Sequence, residues 1–219
     1  MELPYSLDAY FALMAAYNAE WLTMVLLAGL LAIATAALAL FLPDRAANWR
    51  SRAIAGYLAA AWVWIGIVHQ LGMMADLNFL APVYGIAWIG QGILLAWTGL
   101  ILGKLKFGFQ PGLSGALAKT LIVFGLVIYP AILFTLDHDW KSLPLAGTAP
   151  SPTVIFTAGL LLTTRNGTPL SLFIVPLAWA AVSGLSAYLL DHAIDYTVSV
   201  AVVVALSLAL YERFSKRMS

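Results

Sequence analysis

Apolar residues along this chain run in long blocks separated by short polar stretches. A helix needs about 20 mostly apolar residues to cross a bilayer. Blocks of that kind predict spanning helices over residues 21–42, 53–75, 79–103, 115–136, 169–190 and 194–211. A weaker block over residues 150–164 predicts a seventh. Its apolar helical part is roughly 20 Å long at about 1.5 Å per residue, against a hydrocarbon core of about 30 Å. Ahead of the first block, Leu7, Tyr10, Phe11, Met14 and Tyr17 recur at helical spacing, with Ser6 placed as an N-cap. Residues 7–20 therefore read as a short interfacial helix or as an extension of the first span. No internal repeat, low-complexity tract or linker interrupts residues 1–219, so the chain reads as one integral membrane domain.

The positions of the basic residues test this count. With seven spans, Arg45, Arg50, Arg52, Lys104, Lys106, Lys119, Arg165, Arg213, Lys216 and Arg217 fall on one side and only Lys141 on the other. The positive-inside rule then puts the N-terminus outside and the C-terminus in the cytoplasm. Leaving out the weak fifth span would carry the basic tail to the wrong side. The expected fold is an all-α polytopic bundle of seven transmembrane helices, N-out and C-in, in the cell inner (cytoplasmic) membrane.

Composition narrows the classes further. Of the 219 residues, 63% are hydrophobic and 10% charged, and the mean hydropathy is +0.93. A soluble domain carries about 25% charged residues, so a soluble fold and a disordered chain are both excluded. A net charge of +1 gives no basic patch for nucleic acid. The chain has no cysteine, which removes disulfides, thiolate metal sites and iron–sulfur clusters. Met1-Glu2-Leu3-Pro4 lacks a basic n-region, so the first span is expected to remain in the mature protein.

On this topology the acids gather outside or at the outer rim: Glu2, Asp8, Glu20, Asp76, Asp137, Asp139, Asp191 and Asp195, with only Asp44 and Glu212 inside. The histidines follow them. His69 lies about two turns below Asp76, roughly 10 Å deep, and His138 and His192 sit in the runs Asp137-His138-Asp139 and Asp191-His192-Ala193-Ile194-Asp195. Without thiolates, imidazole and carboxylate are the ligands for a divalent metal. His69, Asp76, Asp191, His192 and Asp195 form the candidate cation or proton site. Ordinary loop polarity is the stronger reading for His138 and His192. A histidine inside a span usually faces protein or water, and a helix–helix hydrogen bond is the structural alternative for His69, with Gln70 or Asn78 as an equally good donor to such a bond.

Other polar positions suggest a path. Tyr84, Trp88, Gln91 and Thr98 share one face of the third span, beside Gly85, Gly92 and Gly99. Packing between helices explains that face more simply than a ligand pathway. Pro176, Trp179, Ser183 and Ser186 line one face of the sixth span, with Pro176 placed to kink it. The fifth segment enters through Pro144-Leu145-Ala146-Gly147-Thr148-Ala149-Pro150, with Ser151 placed as N-cap and Pro152 as first helical residue. Irregular backbone at depth is tolerated only when buried in protein or lining a cavity. A helix N-terminus there offers free N–H groups to an anion or to a side chain such as Asp76 or Asp195; a short helix capped at a thinned bilayer is the alternative. Gln70, Trp88, Gln91, Ser151, Thr153 and Thr157 are the candidate path-lining residues.

Several chemistries drop out. A rhodopsin-like Schiff base is impossible because the seventh span has no lysine, and a b-type haem pair lacks its second histidine. No phosphate loop, Gly-x-Ser-x-Gly or His-Glu-x-x-His is present. Asn166-Gly167-Thr168 matches a glycosylation sequon, but on the cytoplasmic side it reads as a turn.

Tyr17-Asn18 with Trp21, Trp64 with His69, Tyr129-Pro130, Pro150-Ser151-Pro152-Thr153 leading into Ile155-Phe156-Thr157-Ala158-Gly159-Leu160, and Pro176 with Trp179 form a series. It resembles a bacterial family of multi-pass membrane proteins of unknown function over nearly the whole chain. The Pro-x-Pro-Thr entry to the short fifth span is the most specific element of the likeness. The resemblance implies the multi-pass topology and no particular activity. Many members of that family carry cysteine where this chain has Ser151, which argues against a thiolate role here. The expected function is binding or permeation of a small solute, a metal cation or proton, through an outward-facing cavity. The alternative is a non-catalytic accessory or assembly subunit of a larger membrane complex, or a homo-oligomer. No catalytic constellation points to an enzyme.

Overall fold

The computed structural model describes residues 5–42, 47–136, 138–165 and 167–218. The expected Asp44, Arg45, Asp137, Asn166 and Glu2 lie outside them. All regular structure among the described residues is helical, apart from one isolated bridge between Phe107 and Thr164. Helix α1 spans Leu7–Glu20 and α2 Leu22–Phe41. Helix α3, Ala47–Trp64, continues as a π-helix over Ile65–Met73 and a tight turn to Asp76. Helix α4, Ala81–Leu95, continues as a π-helix over Ala96–Ile101. Helices α5, Leu113–Val123, and α6, Tyr129–Thr135, are joined by a π-helical turn. Helix α7 is Pro150–Leu162, α8 Ile174–Leu189 and α9 Tyr196–Met218.

Six helical stretches among the described residues are long and apolar enough to cross a membrane: Leu22–Phe41, Asn48–Asp76, Ala81–Ile101, Leu113–Thr135, Leu170–Leu189 and Ala193–Ser215. Their outward faces expose Leu26, Leu30, Ile33, Ile86, Ile93 and Val200. Bare apolar flanks of this extent suit lipid as the solvent. This is the architecture of a multi-pass membrane protein.

The seventh apolar helix, α7, is different. It is only 13 residues long, and from Pro152 to Thr164 every residue is buried. Helices α5 and α9 and the π-turn after α5 pack closely around it, with α3 and α8 also in contact. Gly125 of the π-turn and Gly159 of α7 make the close contacts. A Cβ on Gly125 would fall 2.8 Å from the Pro152 carbonyl oxygen, and one on Gly159 would fall 2.9 Å from the Ile122 amide nitrogen. Small residues let backbones approach where lipid tails offer no hydrophobic drive to association. The same device joins α3 to α4. A Cβ on Gly92 would lie 2.8 Å from the Ala59 carbonyl oxygen, and one on Gly66 would lie 2.8 Å from the Gly85 carbonyl oxygen. The glycine flank read from the sequence as close packing therefore does that work.

The stretch leading into α7 is irregular, and from Ala146 to Ala149 it is buried. Its polar backbone groups therefore need partners inside the protein. Helix α1 supplies several. The Asn18 side-chain amide donates to the carbonyls of Lys141 at 2.8 Å and Leu143 at 3.0 Å, and the Tyr17 hydroxyl donates to the Thr148 carbonyl at 3.1 Å. Gly147, at φ +98, turns the chain through the left-handed region that glycine adopts without penalty. Its N–H donates to the Thr153 hydroxyl at 2.7 Å, and that hydroxyl donates onward to the Ala149 carbonyl at 2.6 Å. Thr153 thus ties the entry loop to the first turn of α7. Helix α1 runs on from α2, since Trp21 N–H bonds to Tyr17 O and Val25 N–H to Trp21 O, both at 2.9 Å.

Candidate functional site

A cavity of about 200 Å³ lies at the end of the molecule where the acids gather. It is enclosed by α1, the π-helical end of α3, the starts of α4 and α7, α8 and the turn before α9. Two departures from plain α-helix shape this end of the molecule. In α3 the Met74 N–H bonds back five residues to the His69 carbonyl. The wider turn buries two consecutive polar residues, His69 and Gln70, on the inner side. Single π-helical turns concentrate at functional sites. In α5–α6 a π-turn with Tyr129 N–H on the Phe124 carbonyl precedes Pro130, which has no N–H to give. This places Tyr129 at the first position of α6, facing the turn before α9.

Asp195 holds the rim together. One of its carboxylate oxygens accepts from the Tyr129 hydroxyl at 2.6 Å and from the Ser151 hydroxyl at 2.8 Å. Ser151 is therefore not the N-cap of α7. The helix starts two residues earlier than the sequence suggested, with Pro150 in its first turn and Ala149 as cap, and no side chain caps it. Ser151 turns outward to the carboxylate instead, which brings Asp195 beside the helix N-terminus, where negative charge is favoured. Among the described residues Asp195 has no cationic partner. Burial, and next the charge of Asp195, raise the hydroxyl pKa of Tyr10 above its ordinary value, and the same two causes push Tyr5 up to about 12. Both phenols stay neutral at physiological pH.

His69 lies deeper and is 1% exposed. Its ring meets Tyr17 edge-on with centroids 5.7 Å apart. The Tyr17 hydroxyl is already committed, accepting from the Trp64 indole at 2.7 Å and donating to Thr148. Among the described residues neither ring nitrogen of His69 has a hydrogen-bond partner. The helix–helix hydrogen bond offered by the sequence is not formed, although Gln70 and Asn78 line the same cavity. Below, Trp179 of the cavity wall packs edge-on against Trp88 at 5.2 Å, and Trp88 stacks on Trp62 at 4.1 Å. These rings close the floor.

His192 is 7% exposed and also lines the cavity. Burial lowers its imidazole pKa; the charge of Asp195 works against that shift and His138 adds to it. His138 itself stacks on Phe11 at 3.7 Å.

The structure thus brings His69, Gln70, Ser151, His192 and Asp195 to one cavity and leaves the other candidates outside it. Asp76 and Asp191 are exposed. Among the described residues no three His, Asp or Glu side chains come together as a metal-ligand set. Trp88 belongs to the aromatic floor. The Gln91 amide donates to the Leu172 carbonyl at 2.9 Å. Thr157 accepts from the Trp62 indole at 3.0 Å and donates to the Thr153 carbonyl at 2.7 Å. Thr153 and Gln91 tie backbone segments together, and Thr157 anchors the Trp62 indole to α7. Tyr5, Tyr10 and Tyr129 were not singled out as site residues by sequence. Tyr129 pairs with an acid 66 positions away, and no local pattern announces such a contact.

No curated protein and no solved structure matches the chain. A family model does match, over residues 7–219, and the chain belongs to that family, DUF6064, a family of unknown function.

Proposed function

We propose that this chain is a seven-span inner-membrane protein, N-terminus outside, whose outward-facing cavity binds a small cation-bearing solute. The observation that carries the reading is His69, buried at the cavity wall with both ring nitrogens unpartnered. A buried polar group without a partner costs about 1–3 kcal/mol, a cost that a bound solute with a hydrogen-bonding group offsets. Asp195 supplies the negative charge at the rim, and Tyr10, Tyr84 and Trp179 supply aromatic faces, which attract cations. The aromatic floor favours binding over open permeation. Because no three-ligand set is present among the described residues, an organic ammonium suits the cavity better than a bare metal ion.

The path of α7 supports the seventh crossing. Its first turn meets Asp195 at one end of the bundle, while the residues after it pair with the 103–112 loop at the other. Burial inside the bundle removes the need for a full-length apolar helix. Helices α1 and α2 together run roughly 50 Å at about 1.5 Å per residue, beyond a hydrocarbon core of about 30 Å. That length fits α1 standing at the outer interface.

Calorimetric titration of the detergent-solubilised protein with ammonium, methylammonium, choline and zinc tests the reading. The expected result is heat from an organic ammonium, lost in Asp195→Asn and His69→Leu. Wild-type protein that gives no heat with any of the four refutes it.

A further inference from the structure

We propose that the opposite, basic end of the molecule carries a second site, for the phosphodiester headgroup of an anionic phospholipid. A cavity of about 340 Å³ lies there between the start of α3 and the end of α4. Its construction follows from two glycines. Gly103, at φ +58, ends the helix in the left-handed region, and the Lys104 N–H closes six residues back on the Thr98 carbonyl at 2.9 Å. This is the helix-ending pattern that glycine favours. The chain then doubles back and is pinned at Phe107, whose N–H donates to the Ser51 hydroxyl at 3.1 Å and whose carbonyl accepts from Arg50 at 2.6 Å. Lys106 is thereby held facing α3. Gly99 lies against Ala55 and adds no side chain to the cavity it lines.

The donors match a phosphodiester. Lys106 gives one N–H to the Asn48 side-chain oxygen at 2.9 Å, which leaves two for a ligand. Arg52, also lining the cavity, forms no hydrogen bond or ion pair with any described residue, so its planar set of donors is available. None of the described lining residues is acidic. The rim selects lipid over free phosphate. Leu102 lines the cavity and is 44% exposed, and Trp49, next to the lining Asn48 in α3, and Trp97, two residues before the lining Gly99, have more than half their surface bare. Exposed tryptophans beside basic groups mark the headgroup level of a bilayer, and basic pockets between spanning helices at the cytoplasmic side hold anionic headgroups. This site is independent of the outward cavity.

Native mass spectrometry of the purified protein, with phosphatidylglycerol, phosphatidylcholine or inorganic phosphate added, tests the assignment. A basic residue at the membrane surface is worth about fivefold in affinity, so Arg52 and Lys106 together give roughly 30-fold preference for phosphatidylglycerol over phosphatidylcholine. Arg52→Gln and Lys106→Gln each remove about fivefold of it. Arg52→Lys keeps most of it, and Arg213→Gln, an equal charge change outside the cavity, leaves it unaltered. Equal retention of the two lipids overturns the proposal, as does an equal loss from Arg213→Gln. Adduction of inorganic phosphate that displaces phosphatidylglycerol overturns the lipid assignment.

Discussion

The two ends of α7 solve the burial of polar groups in opposite ways. At its C-terminal end the polar groups are closed upon each other. Thr163 and Thr164 donate to the carbonyls of Leu160 and Leu161 at 2.7 Å, Gly108 N–H bonds to Thr163 O at 3.0 Å, and Arg165 N–H bonds to Lys106 O at 2.9 Å. Arg50, 1% exposed, spends its guanidinium on the carbonyls of Leu42 and Phe107. At the N-terminal end the bonds converge on Asp195, but His69 is left with two bare nitrogens. Satisfied groups rigidify a fold, whereas an unsatisfied one in a cavity is free to meet a solute. The comparison separates an end of α7 whose buried polar groups pair with each other from one where a buried imidazole has no partner among the described residues.

Substitutions break or sharpen that contrast. The largest effect belongs to Gly159→Ala, since the new Cβ would meet backbone atoms of Ile122 and Ala118 at 2.9 and 3.0 Å. Overpacking of that kind costs about 3 kcal/mol, read as a lower unfolding temperature in detergent. Gly90→Ala, with nothing within 4 Å, is the matched control and leaves stability unchanged or raises it. Next comes Arg50→Met, which strands two carbonyls at the closed end and costs about 2 kcal/mol. If it proves neutral, the closed end is not held by its hydrogen bonds.

The third substitution has the opposite sign. His69→Leu removes an unpartnered buried imidazole, so thermal stability holds or rises by about 1 kcal/mol, while solute binding is lost. A stability loss comparable to that of Arg50→Met would show His69 to be a structural residue. The smallest effect is a pH dependence from His192. Burial holds its pKa below the ordinary value despite Asp195, with His138 adding to the lowering. Below about pH 6.5 the unfolded chain binds the extra proton, so stability declines as pH falls from there toward the folded-state value. Unfolding temperatures measured from pH 8 to 5 show this decline in wild type and a flatter profile in His192→Gln.

Much of the bundle was legible in the sequence because a bilayer imposes a length on apolar blocks, and the six long ones reappear as long helices. The fifth block was legible as short and unusual, but its full enclosure was not, because an apolar pattern reads alike against lipid and against protein. The π-turns were invisible to a search for 3.6-residue periodicity; adjacent polar His69 and Gln70 were their one local trace. For the site, the sequence marked His69, His192 and Asp195 by residue type and end of the bundle. It misassigned Ser151 as a cap because a serine before a proline satisfies the local rule, and only the approach of Asp195 from 44 positions away redirects its hydroxyl.

The sequence alone determined that lipid surrounds this chain and that charge is divided between its two ends, since transfer free energies act on each segment independently of its neighbours. The tertiary structure decided which polar groups find partners. Hydrogen bonding over a few ångströms between distant segments depends on which backbones the glycines allow to approach, and that left Thr157 bonded, Asp195 shared, and His69 buried beside a cavity with no partner among the described residues.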